Sequence, residues 1–183
     1  MKKILIVVDM QNDFIDKNVL GNDDCVAVVP NVIEKINSAE YKDAFIFATR
    51  DTHHDNYLET QEGKNLPVVH CVEGTKGWEI EENIKNALLK HGVTIINKPT
   101  FGSMELAEQV KQAVERFMKK EDGVEIELCG VCTGICVISN ALLLKAALPE
   151  IKISVDSKCC ACVTPESHVN ALNAMKLCQI NII

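Results

Sequence analysis

Ile4-Leu5-Ile6-Val7-Val8 is a run of five apolar residues that stops at Asp9. It is too short for an ordinary helix and does not alternate with polar residues, so it reads as a strand buried on both faces. Blocks of the same kind recur at 44–49, 93–96, 124–131 and 151–155, the last ending at Asp156. Residues 180–183 offer a sixth, terminal strand.

The intervening segments carry helical spacing. In 26–39, Val29, Val32, Ile33 and Ile36 share a face, and Pro30 lies near the start, where a proline is tolerated. In 78–90, Ile80, Ile84, Ala87 and Leu88 do the same, with Gly92 placed to stop the helix. In 103–120, Ser103 is the expected N-cap and Leu106, Val110, Ala113, Val114 and Phe117 form the inner face. Residues 135–148 are nearly all apolar, predicting a deeply buried helix, and 165–178 make the last one. Strand and helix alternate throughout, and the strands are continuously hydrophobic. That pattern predicts one α/β domain over 1–183: three layers, with a mostly parallel sheet of about six strands and helices on both faces. Residues 52–64 show no period and read as a long loop, a kind that is usually functional.

Composition excludes several classes. The 19 Lys and Arg residues stand against 26 Asp and Glu, a net charge of −7, so no basic field is available for nucleic acid phosphates. Aromatic residues are only 4%, which leaves few platforms for base stacking. No apolar stretch is long enough to cross a bilayer, and the run before Asp9 is short for a secretion signal. The expectation is a cytoplasmic protein, bound to neither nucleic acid nor membrane, whose nine cysteines are mostly reduced.

Ligands of open parallel sheets bind beyond the carboxyl ends of the strands. Here those ends read Asp9, Asp51, Lys98, the segment 130–136 and Asp156. Within Gly130-Val131-Cys132-Thr133-Gly134-Ile135-Cys136-Val137, Cys136 falls in the first turn of a predicted helix. The macrodipole there lowers a thiol pKa, which makes Cys136 the strongest nucleophile candidate. Cys25, Cys71, Cys129 and Cys178 read as packing residues. Cys159, Cys160 and Cys162 lack zinc-ribbon spacing and, lying just after Asp156, are expected near the same rim without an assigned role. A second constellation is Asp51-Thr52-His53 with His70, and with Glu59 and Glu62 in the long loop. Carboxylates and imidazoles of this kind suit zinc, iron or manganese.

With both constellations in view, the chain resembles the isochorismatase-like cysteine hydrolases, and within them most of all the nicotinamidases. The resemblance runs in order through 7–14 (VVDMQNDF), 49–53 (TRDTH), 70–77 (HCVEGTKG), Asn97-Lys98-Pro99 and 130–137 (GVCTGICV). It implies a catalytic triad of Asp9, Lys98 and Cys136. It also implies a cis peptide before Cys132, whose N–H joins that of Cys136 in an oxyanion hole. A divalent metal is implied on Asp51, His53 and His70, with Glu62 preferred to Glu59 as a further ligand, binding a pyridine nitrogen of a small amide. Homo-oligomers are common in the family. Phe14, Tyr57 and Phe101 are the expected pocket walls. Isochorismatases proper lack the nucleophilic cysteine, so Cys136 argues for amide chemistry. Thr52 stands where many nicotinamidases carry Trp. Two other readings remain at this stage: a metal-independent cysteine amidase acting on a carbamoyl or ureido compound, and a non-catalytic thiol module that senses oxidants.

Overall fold

The structure, a computed structural model, describes residues 1–17, 19–119 and 123–183. In chain order it contains β1 (Lys2–Val8), α1 (Asn12–Ile15), α2 (Asp23–Asn37), β2 (Phe45–Asp51), α3 (Gln61–Asn65), α4 (Glu82–Leu89), β3 (Thr94–Lys98) and α5 (Met104–Met118). There follow β4 (Val124–Val131), a π-helical turn (Thr133–Val137), α6 (Ile138–Ala147), β5 (Lys152–Ala161), α7 (Pro165–Leu177) and β6 (Asn181–Ile182). Short 3-10 turns lie at Ala39–Tyr41 and Tyr57–Glu59.

The six strands form one sheet in the order β3-β2-β1-β4-β5-β6, and every pairing is parallel. Right-handed crossovers put the helices that follow β1 and β2 on one face and those that follow β3, β4 and β5 on the other. Accordingly α2 packs against α4, while α6 packs against both α5 and α7. The expected three-layer α/β architecture is therefore the observed one. Residues Ile4 to Val8 at its centre are buried to within 1%.

Strand order reverses between β1 and β4, the place where a doubly wound sheet opens a crevice. At that point the two chains run unusually close. Gly130 has φ +118°, and a Cβ there would lie 2.1 Å from the Val8 carbonyl oxygen. A side chain at 130 would force the two strand ends apart.

Several boundaries differ from the sequence reading. Helix α2 starts at Asp23, because the Asn22 side chain accepts the Cys25 N–H and caps it. Helix α4 starts only at Glu82, since Ile80 is drawn into an antiparallel bridge with Gln11. Ser103 caps α5 as expected, whereas Lys120, the predicted end of that helix, lies outside the described residues. The long loop is not structureless: Thr60 accepts the Gly63 N–H and starts α3.

The largest correction concerns Asp156, which does not end β5. Leu128 pairs with Val155 but Gly130 pairs with Cys160, so residues 156–159 bulge out of the ladder and the strand resumes as Cys160-Ala161. Asp156 thus sits away from the carboxyl rim. Its carboxylate is 2.6 Å from Lys35 Nζ, which also pairs with Glu127. Burial pulls the Lys35 pKa down, but Asp156 and Glu127 outweigh it and the net shift is upward. For Asp156, burial raises the pKa and Lys35 more than cancels it, leaving it below the ordinary 3.8. The Lys35 contribution is present below the ordinary lysine pKa and is lost as pH rises through its raised folded value. The Asp156 contribution is present above 3.8 and is lost as pH falls through its lowered folded value. Lys35→Met should therefore cost about 3–5 kcal/mol at pH 7, the typical effect of stranding a buried charge. Its Tm deficit against wild type should narrow on titration toward pH 3, and a deficit independent of pH would contradict this account.

Candidate active site

The carboxyl ends of β1, β2 and β3 deliver Asp9, Asp51 and Lys98 to one rim, and the end of β4 delivers the turn that holds Cys136. The Val131–Cys132 peptide that opens this turn is cis. Asp9 has φ 48°, a left-handed conformation uncommon outside glycine and found chiefly at turns and functional sites. Thr49 holds it from the next strand: its Oγ1 accepts the Asp9 N–H at 3.2 Å and donates to Asp9 Oδ1 at 2.6 Å.

Gln11 performs the same service for Asp51. Its Oε1 accepts the Asp51 N–H at 2.7 Å, and its Nε2 donates to the carbonyls of Asp51 and Trp78 at 2.8 and 2.9 Å. Asn140, fully buried on α6, ties the turn to its surroundings. Its Nδ2 donates to the Cys136 carbonyl at 2.8 Å and the Phe101 carbonyl at 3.2 Å, and its Oδ1 accepts the Ser103 N–H at 2.9 Å. Thr49, Gln11 and Asn140 were not singled out from the sequence.

Lys98 is the hub. Its Nζ lies 2.6 Å from Asp9 Oδ2, 3.3 Å from Asp51 Oδ1 and 3.5 Å from Cys136 Sγ, and the whole side chain is buried. Burial disfavours its charge, but Asp9, Cys136 and Asp51 together raise its pKa, so it is held as an ammonium. Asp9 is pushed up by burial, with Asp51 adding to the shift, against the pull of Lys98. Cys136 is raised well above the usual thiol value, first by burial and then by Asp9, against Lys98. The helix-terminus argument for a lowered thiol pKa is thereby corrected. Cys136 lies in a π-helical turn, α6 begins only at Ile138, and desolvation beside a carboxylate dominates.

The second constellation also assembles. Asp51 Oδ2 is 3.0 Å from His53 Nε2 and 3.6 Å from His70 Nε2, while Glu62 Oε1 is 3.4 and 3.9 Å from the same two atoms. All four donor atoms lie within 4.8 Å of one another. His70 Nδ1 bonds the Val68 carbonyl at 2.7 Å, which commits that nitrogen as donor and leaves Nε2 facing the cluster. Burial, then the charge of Asp51, raise the Glu62 pKa against the pull of His53, His70 and Lys98. Two carboxylates and two imidazoles around one point fit zinc, and also iron or manganese. Glu62, not Glu59, is the acidic member of this group.

A cavity of about 220 Å³ joins the two constellations, since Asp51, Glu62, His70, Cys132 and Cys136 all line it. Its apolar walls are Phe14, Leu20, Leu66, Phe101, Ile135 and Val163. An open groove of about 580 Å³ shares Glu62, Leu66 and Phe101 with it and forms the approach. Phe14 and Phe101 are thus placed as expected. Tyr57 is not: it stands behind the imidazoles, its ring 4.6 Å from that of His53 and 5.0 Å from that of His70, with its hydroxyl bound to the Leu66 carbonyl. Leu20, Leu66 and Val163 complete the wall through loops whose sequence has no period to read. Among the other thiols, Cys25, Cys71 and Cys129 are buried as predicted, but Cys178 is exposed at the end of α7.

A family model described as Isochorismatase domain matches residues 3–183. The nicotinamidase of Schizosaccharomyces pombe is 25% identical over 98% of this chain and 91% of its own length. The pyrazinamidase of Pyrococcus horikoshii, solved in complex with zinc, superposes with a TM-score of 0.77 at 28% identity, covering 100% of this chain and 99% of that one. The nicotinamidase/pyrazinamidase PncA of Bacillus subtilis superposes with a TM-score of 0.83 at 22% identity over 100% and 99%, a likeness of fold.

Proposed function

Because the chain belongs to the isochorismatase domain family, we propose that it is a cysteine amidohydrolase that converts nicotinamide to nicotinate and ammonia through a thioester on Cys136. The observation that carries this reading is Lys98, whose ammonium touches Asp9 and Cys136 within 3.5 Å beside a cavity that holds a metal-ligating cluster. The nicotinamidase and pyrazinamidase relatives support the substrate class.

Asp9 takes the Cys136 proton as the sulfur attacks the carboxamide carbon, and Lys98 offsets the anionic charge that persists beside it. The oxyanion is held by the N–H groups of Cys132 and Cys136, where each donor is worth about 10²–10³ in turnover. Asp9 returns its proton to the departing nitrogen, and the C–N bond breaks to release ammonia. A water then attacks the thioester with Asp9 as base, the C–S bond breaks, and Cys136 recovers its proton as the acid leaves. Asp51, His53, Glu62 and His70 would hold the divalent cation. When bound, it supplies a Lewis-acidic docking point for a ring nitrogen. The apolar walls exclude water from a flat ring, while Phe14 and Phe101 flank it. A one-domain, homo-oligomeric enzyme working among reduced cytoplasmic thiols completes the reading.

Ammonia release should be measured on nicotinamide, pyrazinamide and a ureido compound, with chelated and zinc-reconstituted protein. Nicotinamide should be the best substrate, and chelation should raise its KM more than it lowers kcat. Zinc should also raise the Tm of chelated protein, by the stabilisation of about 2.7 kcal/mol that one site gives at a hundredfold excess over Kd. His70→Ala should abolish that rise. Turnover of the ureido compound alone, indifferent to chelation, would favour a metal-independent amidase instead.

A further inference from the structure

Asn140 holds the Cys136 end of the turn after β4, and the other end is held from α7. Thr133, the residue after Cys132, is fully buried, and its Oγ1 lies 2.8 Å from His168 Nδ1. Helix α7 carries that ring on its inner face. Thr164 and Ser167 form a capping box that fixes where the helix starts, and the His168 N–H reaches the Thr164 carbonyl at 3.0 Å. Ala171 and Met175, one and two helical turns further on, are the buried residues of α7, so His168 shares their side. A ring nitrogen on such a face costs free energy unless it is bonded, and here the bond goes to the turn. His168 is half-buried and also borders a surface groove of about 350 Å³, so the residue keeps access to water as well.

The turn depends on contacts from outside it. Its backbone bonds are shared instead of following a regular ladder. The N–H groups of Ile135 and Val137 both go to the Cys132 carbonyl at 3.1 Å, and the Ile138 N–H is divided between the Ile135 and Thr133 carbonyls. Wide turns of this π-helical kind are rare and concentrate at functional sites. Gly134 seats the turn directly on its neighbours. A Cβ there would lie 3.2 Å from Cys162 Sγ and 3.5 Å from both the Ala171 Cβ and the Ser167 carbonyl oxygen. The Gly134 N–H donates to Cys162 Sγ at 3.3 Å, which gives the residue just past β5 a place against the same turn.

We infer that His168 is a positioning residue for the amide reaction, setting through Thr133 where the Cys132 N–H stands relative to that of Cys136. This rests on the oxyanion hole of the proposed function. Asn140 on α6 fixes the Cys136 carbonyl and His168 on α7 fixes the Thr133 side chain, so the spacing of the two donors follows the packing of α6 against α7. The bond does not depend on the charge of the ring. A hydroxyl donates to a neutral ring nitrogen and accepts from a protonated one. Displacing a reacting or stabilising group by about 1 Å costs on the order of 10²-fold in rate. Binding of the planar amide, which carries no oxyanion, is not touched by that displacement.

The test compares wild type with His168→Leu, His168→Asn, Thr133→Val and the double variant Thr133→Val/His168→Leu, each shown by thermal melts to be folded at the assay temperature. Leu fills the space of the ring without a polar atom, while Asn puts an amide atom where Nδ1 stands. Nicotinamide kcat and KM are read beside inhibition by pyridine-3-carbaldehyde. The Cys136 sulfur adds to the carbonyl carbon of that probe, the thiol proton passes to Asp9, and the oxygen takes the negative charge into the oxyanion hole. His168→Leu and Thr133→Val should each lower kcat about 10–10²-fold and weaken the aldehyde by a similar factor, with KM within about threefold of wild type. The double variant should lose no more than the worse single one, and His168→Asn should recover most of the loss. Unchanged kcat and aldehyde inhibition in folded His168→Leu, or losses that multiply in the double variant, would overturn the inference. If wild type hydrolyses no amide, the proposed function fails while the aldehyde affinities still decide the role of His168. A wild type that binds no aldehyde overturns both.

Discussion

Cys136→Ala should abolish amide hydrolysis, lowering kcat on the order of 10⁶-fold, the loss typical of removing a covalent nucleophile. The residue contributes little to the fold. It lies at the margin of the core, where the cavity begins, and only one small atom is removed, so the change in unfolding free energy should stay within about 1 kcal/mol. Nicotinamide should still bind, because the apolar walls and the cation site are untouched. Single-turnover mass spectrometry should find an acylated wild-type protein and none in the variant. Cys136→Ser is the sharper control. It keeps the shape, but its hydroxyl is a much poorer acid for Asp9 to deprotonate. Near-normal turnover by Cys136→Ala with every accepted amide would end the thioester mechanism.

Lys98→Met should damage both the fold and the chemistry. Asp9 and Asp51 both lie against the ammonium in a region closed to water, so its removal strands two carboxylates. Loss of one partner from such a buried set costs about 3–5 kcal/mol. The anionic charge that accompanies attack would also lose its counter-charge. A fall in kcat of about 10²–10⁴-fold follows, similar to losing a positioned electrostatic or proton-transfer group. KM should change far less, since Lys98 does not line the cavity. Urea melts read beside the kinetics separate the two effects. A variant as stable as wild type would mean that Lys98 does not carry this charge balance, and an unchanged kcat would remove it from the mechanism.

Much of this could be read from the residues because the chemistry sits where apolar runs end. Asp9 and Asp51 each close a buried strand and Lys98 closes the half-exposed edge strand, and a parallel sheet brings such ends together. His53 was recognisable two residues after Asp51, and His70 as a distant histidine beyond the long loop. What could not be read depended on contacts made across the fold. Tyr57 has the composition of a pocket wall, yet its hydroxyl found the Leu66 carbonyl and turned the ring behind the histidines. Asp156 looks like a strand end because a bulge is invisible to hydrophobic patterning. The thiol of Cys136 was misjudged because helix position is local, while burial and the charge of Asp9 are not. Gln11 and Asn140 gave no periodic signal at all, since each works by bonding backbone from other elements.

The contact between Gly130 and Val8 bears on how this rim could be altered by selection or design. The same peptide neighbourhood sets the spacing between the strand that ends at Asp9 and the turn that holds Cys136. Libraries aimed at new amides can therefore vary Leu20, Leu66 and Val163, which lie on loops and touch neither strand's register. Variation at position 130 would move Asp9 and Cys136 relative to each other in every member. The rim thus divides into a part that evolution can retune one residue at a time and a hinge line that it must inherit whole.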